Sequence, residues 1–124
     1  MTMQIGSAVL YVIDLPAMTK FYSEVFGLPA IVGEHRDVWQ EFHAGAFRLG
    51  LHQIPRDMLN NLQPPPSVTP RERTPIKLVF AVPDVETTRT RLEALGVTVL
   101  ARPWGGCEVV DPEGNIFGLT QASS

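Results

Sequence analysis

The sequence predicts an α+β fold of two βαβββ modules that together form a curved, barrel-like mixed sheet with helices outside. Three observations carry this. Apolar residues pass from strand-like runs to helical spacing right after Asp14, and again right after Asp84. A glycine closes each helical stretch, Gly27 in the first half and Gly96 in the second. Both halves end on the same pattern, Leu49-Gly50-Leu51-His52-Gln53 and Phe117-Gly118-Leu119-Thr120-Gln121. These three pairs lie 70, 69 and 68 residues apart, a drift that loop lengths explain, so one unit is repeated. Neither unit alone has enough residues to bury a sheet, and the two are expected to pack together.

In chain order, Ser7 to Leu15 is β-branched, aromatic or aliphatic and reads as a strand buried on both faces. Asp14 can cap a helix and Pro16 is tolerated in its first turn, with Met18, Phe21, Tyr22, Val25 and Phe26 on the inner side. Strands are expected around Ala30 to Val32, Val38 to Phe42 and Phe47 to His52, which completes a module over about 4–53. Residues 54–75 hold six prolines among charged side chains and cannot sustain a ladder or a long helix. They predict an exposed connector, with one or two helical turns over Arg56 to Leu62. A lid or a dimer arm is the functional alternative for this stretch. The second module, about 76–121, opens with a strand over Ile76 to Val82. A helix capped by Asp84 follows, with Val85, Thr88, Leu92 and Leu95 inward. Strands come next at Val97 to Leu100, Cys107 to Val110 and Ile116 to Gln121. The last follows a turn, Asp111-Pro112-Glu113-Gly114-Asn115, in which Pro112 presets one dihedral and Gly114-Asn115 can take positive φ. Gly118 sits in the middle of that strand, where a glycine weakens a ladder unless something comes close to the backbone.

With 124 residues, 44% hydrophobic and 19% charged, the composition is that of an ordinary globular chain. A net charge of −3 and the lack of a basic stripe argue against nucleic acid as partner. Cys107 is the single cysteine, which excludes an intramolecular disulfide and a cysteine-based zinc cluster and suits a cytoplasmic location. Met1 to Ile5 has no signal-peptide character, and no run approaches membrane-spanning length.

Four segments taken in order resemble the vicinal oxygen chelate superfamily: Val9 to Leu15, Phe21-Tyr22 with Phe26-Gly27-Leu28, Val82-Pro83-Asp84-Val85, and Asp111 to Asn115. That superfamily includes glyoxalase I, extradiol dioxygenases, and fosfomycin and bleomycin resistance proteins, and the resemblance implies the glyoxalase/bleomycin resistance-like fold. It also implies four equivalent places for divalent-metal ligands, one early on the first strand and one midway along the last strand of each module. Counting seven residues back from the helix-opening aspartates gives Ser7 and Lys77; four past the turn glycine gives Gly118, whose repeat partner is Gly50. A hydroxyl, an ammonium and two hydrogens cannot replace imidazole, carboxylate or thiolate donors. No cofactor and no metal are therefore expected.

The cavity face is expected to carry Ser7, Val9 and Tyr11, with Arg48, Gly50 and His52 opposite, and Lys77, Val79 and Ala81 beside Ile116, Gly118 and Thr120. Lys77 has three roles open to it: general base, anion holder, or ion-pair partner of Glu41 or Glu108. His52 is the candidate for a base or a relocated ligand, and Arg48 could clamp an oxyanion or sit in water. Tyr11 could donate a hydrogen bond into the cavity. Trp39 and Trp104 are the aromatic candidates, Trp104 the more available because Gly105 and Gly106 follow it; Phe42 and Phe47 are assigned to the core and Cys107 to packing.

The function expected from all this is metal-independent binding of a small, partly aromatic molecule in the sheet cavity of a homodimer, and the resemblance implies sequestration without chemistry, similar to that of the bleomycin-resistance branch. The alternatives are a glyoxalase- or dioxygenase-type enzyme with an atypical metal site or with Lys77 and His52 in proton transfer, and a partner-binding protein that uses the proline-rich connector.

Overall fold

The structure is a computed structural model that describes residues 2–61 and 69–123. The chain divides into two compact units, Met1–Pro64 and Pro65–Ser124. Each contains a four-stranded mixed sheet, and the two sheets share one topology.

In the first unit the strands are β1 (Ser7–Val12), β2 (Ala30–Ile31), β3 (Trp39–Ala44) and β4 (Phe47–Gln53), in the order β1-β4-β3-β2. β1 runs parallel to β4, and the remaining pairs are antiparallel. β1 is shorter than expected and alternates between exposed and inward residues instead of being buried on both faces. It is an edge strand, and the unit's helix covers only one face, so Val9 and Tyr11 are left open. Asp14 caps α1 (Leu15–Lys20), its Oδ1 accepting from the Ala17 amide at 3.1 Å. The helix then widens into a π-turn over Phe21–Val25, a feature the apolar spacing does not distinguish from regular helix. That turn aims Phe21, Tyr22 and Phe26 at the sheet. Tyr22 meets Phe21 edge-on at 5.0 Å and stands 6.4 Å from both Phe26 and Phe42. With Val12, Leu15, Met18, Leu49 and Leu51 these rings form the core. Phe42 is wholly buried, as expected, while Phe47 at the strand start is only half-buried.

The second unit contains β5 (Val79–Val82), β6 (Val99–Ala101), β7 (Cys107–Val110) and β8 (Ile116–Gln121), in the order β5-β8-β7-β6. β5 begins three residues later than expected, so Lys77 precedes the ladder. Asp84 caps α2 (Val85–Ala94) by accepting from the Glu86 and Thr87 amides. Leu92 is the buried residue of this helix, whereas Leu95, expected inward, is 56% exposed because it lies past the last helical turn. Phe117 and Leu119 point inward from β8, and Phe80 meets Phe117 edge-on at 5.1 Å. Asp111 fixes the turn before β8. Its carboxylate accepts from the amides of Glu113 and Asn115 and from the Asn115 side chain, all within 2.9 Å.

One pair of side chains joins helix to sheet in the same way in both units. Gln53 ends β4; its Oε1 accepts from the Leu15 amide at 2.9 Å, and its Nε2 donates to the carbonyls of Ile13 and Ile54. Gln121 ends β8, accepting from the Val85 amide at 3.2 Å and donating to the Pro83 carbonyl. Of the connector, residues 56–61 form the short helical stretch expected there, a 3-10 helix. Its middle, 62–68, lies outside the described residues.

Candidate functional site

Register decides which side chains share a face. On the open face of the first sheet Ser7 pairs with Arg48, Val9 with Gly50 and Tyr11 with His52. Across β4 the next strand places Trp39 beside His52, Glu41 beside Gly50 and His43 beside Arg48. Six of the candidates, Ser7, Tyr11, Trp39, Arg48, Gly50 and His52, thus stand on one surface. The His52 imidazole lies between two rings, 5.3 Å from Tyr11 and 5.9 Å from Trp39. Tyr11 is 66% exposed, while Trp39 is half-buried because its ring lies over Gly50. A Cβ at Gly50 would stand 2.4 Å from the Trp39 Cη2, closer than two carbons can approach. The glycine is therefore the slot for the indole. Arg48, exposed, faces the half-buried Glu41 at 3.8 Å, a long and partly solvated pair worth little energy but enough to occupy the guanidinium in part.

The second sheet repeats this plan with other contents. Val79 pairs with Gly118 and Ala81 with Thr120, and Glu108 of β7 lies directly across from Gly118, as Glu41 does from Gly50. Gly118 is less demanding than its counterpart. A Cβ there would meet the Val79 methyls at ordinary contact distance, 3.4 Å. Glu108 is 4% exposed and accepts from two cations, Lys77 Nζ on Oε2 at 2.5 Å and Arg102 Nε on Oε1 at 2.5 Å. Burial pushes its carboxyl up, but the hydrogen bonds and charges of Lys77 and Arg102 outweigh that and hold it below the ordinary 4.5. Of the two ion pairs open to Lys77, the one with Glu108 is made. Arg102 also binds Glu72 of the connector through two contacts of 2.8 and 3.1 Å, and its guanidinium lies 5.8 Å from the centre of the Trp104 ring.

These groups line a cavity of about 260 Å³ that also takes in Arg71, Arg73, Thr74 and Ile116. Trp104 forms part of its wall and is 71% exposed, with its edge against Gly106. Thr120 is exposed near the end of β8, outside that lining. The sequence reading did not single out Arg71, Arg73 or Arg102, because all three lie in loops or at a strand end where no periodicity marks a facing direction. The run Arg71-Glu72-Arg73 was the available signal. The far end of the connector is also not loose. The Arg71 amide and Nε donate to the carbonyls of Gly114 and Glu113, tying it to the turn. Cys107 is half-buried, and burial pushes its thiol up, as suits a packing role.

The donor chemistry does not fit a family-type metal. Ser7 and Gly50 in the first unit, and Lys77 and Gly118 in the second, supply no imidazole, carboxylate or thiolate at the four places. Among the described residues no group of three or more His, Cys, Asp or Glu side chains could hold a metal ion.

Comparison with known proteins agrees with the fold and the repeated plan. The chain belongs to the glyoxalase-like domain family, whose model matches residues 7–120. The resemblance to the vicinal oxygen chelate superfamily is borne out with it. A lactoylglutathione lyase from Agrobacterium tumefaciens is 27% identical, with 96% of this chain and 93% of that one covered and a TM-score of 0.62. TnmS3, an antibiotic-binding protein from Streptomyces sp. CB03234, is 24% identical over 98% of both chains, with a TM-score of 0.69. An integron cassette protein from the mobile metagenome of V. cholerae is 22% identical over 99% of this chain and 98% of that one, with a TM-score of 0.69. No curated protein matches the sequence. Among the described residues no helix is long and apolar enough to cross a membrane.

Proposed function

We propose that the protein binds a small, partly aromatic molecule without a metal ion and sequesters it without chemistry. The observation that carries this reading is the ring assembly of Tyr11, His52 and Trp39 on the open face of the first sheet. Flat, weakly polar side chains held in a fixed arrangement gain from offset or edge contact with a ligand ring, and they lose little side-chain freedom on binding. Gly50 holds the indole in place before any ligand arrives, which reduces the ordering cost further. TnmS3, of the same fold, binds an antibiotic.

The same reading includes a homodimer in the cytoplasm. Val9 and Tyr11 leave apolar area on an open sheet, which a second copy could wall off while keeping the rings within reach of a ligand. Sedimentation velocity tests this part, and a monomer at all micromolar concentrations rejects it.

The binding itself is tested by a thermal-shift screen of aromatic natural products on the parent protein and on Tyr11→Ala and Trp39→Phe. A stabilising compound whose affinity falls about tenfold in Tyr11→Ala, about 1.4 kcal/mol for one lost ring contact, supports the reading. It fails if no compound stabilises the parent protein.

A further inference from the structure

The geometry points to a second binding site, in the 260 Å³ cavity of the second unit, for an oxyanion carried on a flat ring: an aryl carboxylate or aryl phosphate. Four cations line the cavity, Arg71, Arg73, Lys77 and Arg102, against two carboxylates. Both carboxylates are already engaged, Glu108 by Lys77 and Arg102 and Glu72 by Arg102. Arg71 and Arg73 have no carboxylate partner among the described residues, so the cavity has an excess of positive charge although the chain as a whole is acidic. Paired guanidinium groups suit the planar or tetrahedral oxygens of such an anion.

Two further features belong to the same place. Arg73 has φ of 60°, the left-handed conformation, and is the one residue other than glycine to have it among the described residues. A long charged side chain in that region is strained, and strain of this kind collects at ligand sites. Trp104, exposed in the wall, offers the ring face on which the body of the ligand can stack, and Ile116 supplies an apolar contact. The site uses none of the residues of the Tyr11–His52–Trp39 assembly and stands or falls independently of it.

The test uses full-length protein and three probes of one shape: 2-naphthoate, 2-naphthyl phosphate and the neutral 2-naphthamide. Binding is followed by calorimetry and by Trp104 emission in a Trp39→Phe background. Both anions should bind at least tenfold more tightly than the amide and lose that advantage in high salt. Whichever anion binds more tightly identifies the oxyanion class. Arg73→Gly should remove most of the advantage while leaving the melting temperature equal to or above that of the parent, because glycine relieves the left-handed strain. Trp104→Ala should weaken all three probes alike, and Tyr11→Ala should change none of them. Equal affinity for anion and amide, binding unaffected by Arg73→Gly, or failure of both anions to bind would overturn the proposal.

Discussion

At the scale of single residues, the two glycines of the repeat separate into different roles. Gly50 is required by an indole, and Gly118 is bordered by two methyl groups at a distance any Cβ tolerates. Gly50→Ala must displace Trp39 and is expected to cost about 1–3 kcal/mol, as overpacking does. Gly118→Ala should fall within about 0.5 kcal/mol of the parent, or stabilise the strand slightly, since alanine restricts the unfolded chain. Urea denaturation of both variants checks this, and a Trp39→Ala background should abolish the cost at Gly50. Equal costs at the two glycines would sink the assignment. The sequence made the pair visible through the repeat. It could not show what each glycine accommodates, because the Trp39 contact depends on the register between β3 and β4, which lie side by side only in the folded sheet.

Glu108 gives the second prediction at this scale. Its carboxyl is held below 4.5 in the folded protein by Lys77 and Arg102 against the opposing effect of burial. A lowered carboxyl adds stability that is complete above the unfolded value and is lost as pH falls through the folded one. Glu108→Gln keeps the shape and removes the charge, at an expected cost of about 1–3 kcal/mol at pH 7 for the weakened charged hydrogen bonds. Below pH 4.5 the parent should lose the same contribution, so the gap between parent and variant should narrow steadily toward pH 3. A gap of constant size from pH 7 to pH 3 would show that the ion pairs are not its source.

At the scale of elements, caps and turns were legible and side-chain clamps were not. Asp14 and Asp84 cap their helices, and Asp111 to Asn115 forms the expected turn, because these depend on neighbours within a few residues. The glutamines act across 38 and 36 positions of sequence, Gln53 on Leu15 and Gln121 on Val85. Nothing in a linear pattern marks such a contact except the repeat itself, in which both glutamines end the last strand. The π-turn over Phe21–Val25 was equally hidden, since Phe21, Tyr22 and Phe26 suit an inward face in either helix form. Gln53→Ala removes a partner from a helix-start amide and from the carbonyls of Val12, Ile13 and Ile54, and a loss of about 1–3 kcal/mol is expected. Gln121→Ala, at a more exposed junction, should lose about half as much, within the range of a single surface-accessible hydrogen bond of about 0.5–1.5 kcal/mol. Guanidinium melts of the two variants check both the size and the order, and a larger loss at Gln121 would contradict the difference in burial.

At the scale of the whole molecule, one plan serves twice with different side chains on it. Each last strand has a glycine where the resemblance placed a ligand, and each neighbouring strand has a glutamate directly across from it, Glu41 from Gly50 and Glu108 from Gly118. Each glutamate faces a cation, Arg48 in the first unit and Lys77 with Arg102 in the second. Carboxylates are thus present beside both places, but cations already neutralise them, and a divalent ion would have to displace those cations to gain one donor in each unit. To bind the ion, Glu108 would have to give up Lys77 and Arg102, leaving Lys77 without a carboxylate and Arg102 with Glu72 alone, a loss that one carboxylate–metal bond must first overcome. The expected outcome is that protein purified without chelator contains far less than one equivalent of zinc, nickel, manganese or iron. Millimolar additions of these ions should shift the melting temperature by no more than they shift the Glu108→Gln variant, since a specific site would raise stability in proportion to the logarithm of free metal. A stoichiometric metal, or a shift that grows with metal concentration and disappears in Glu108→Gln, would mean that the cations yield and that the plan still serves metal chemistry.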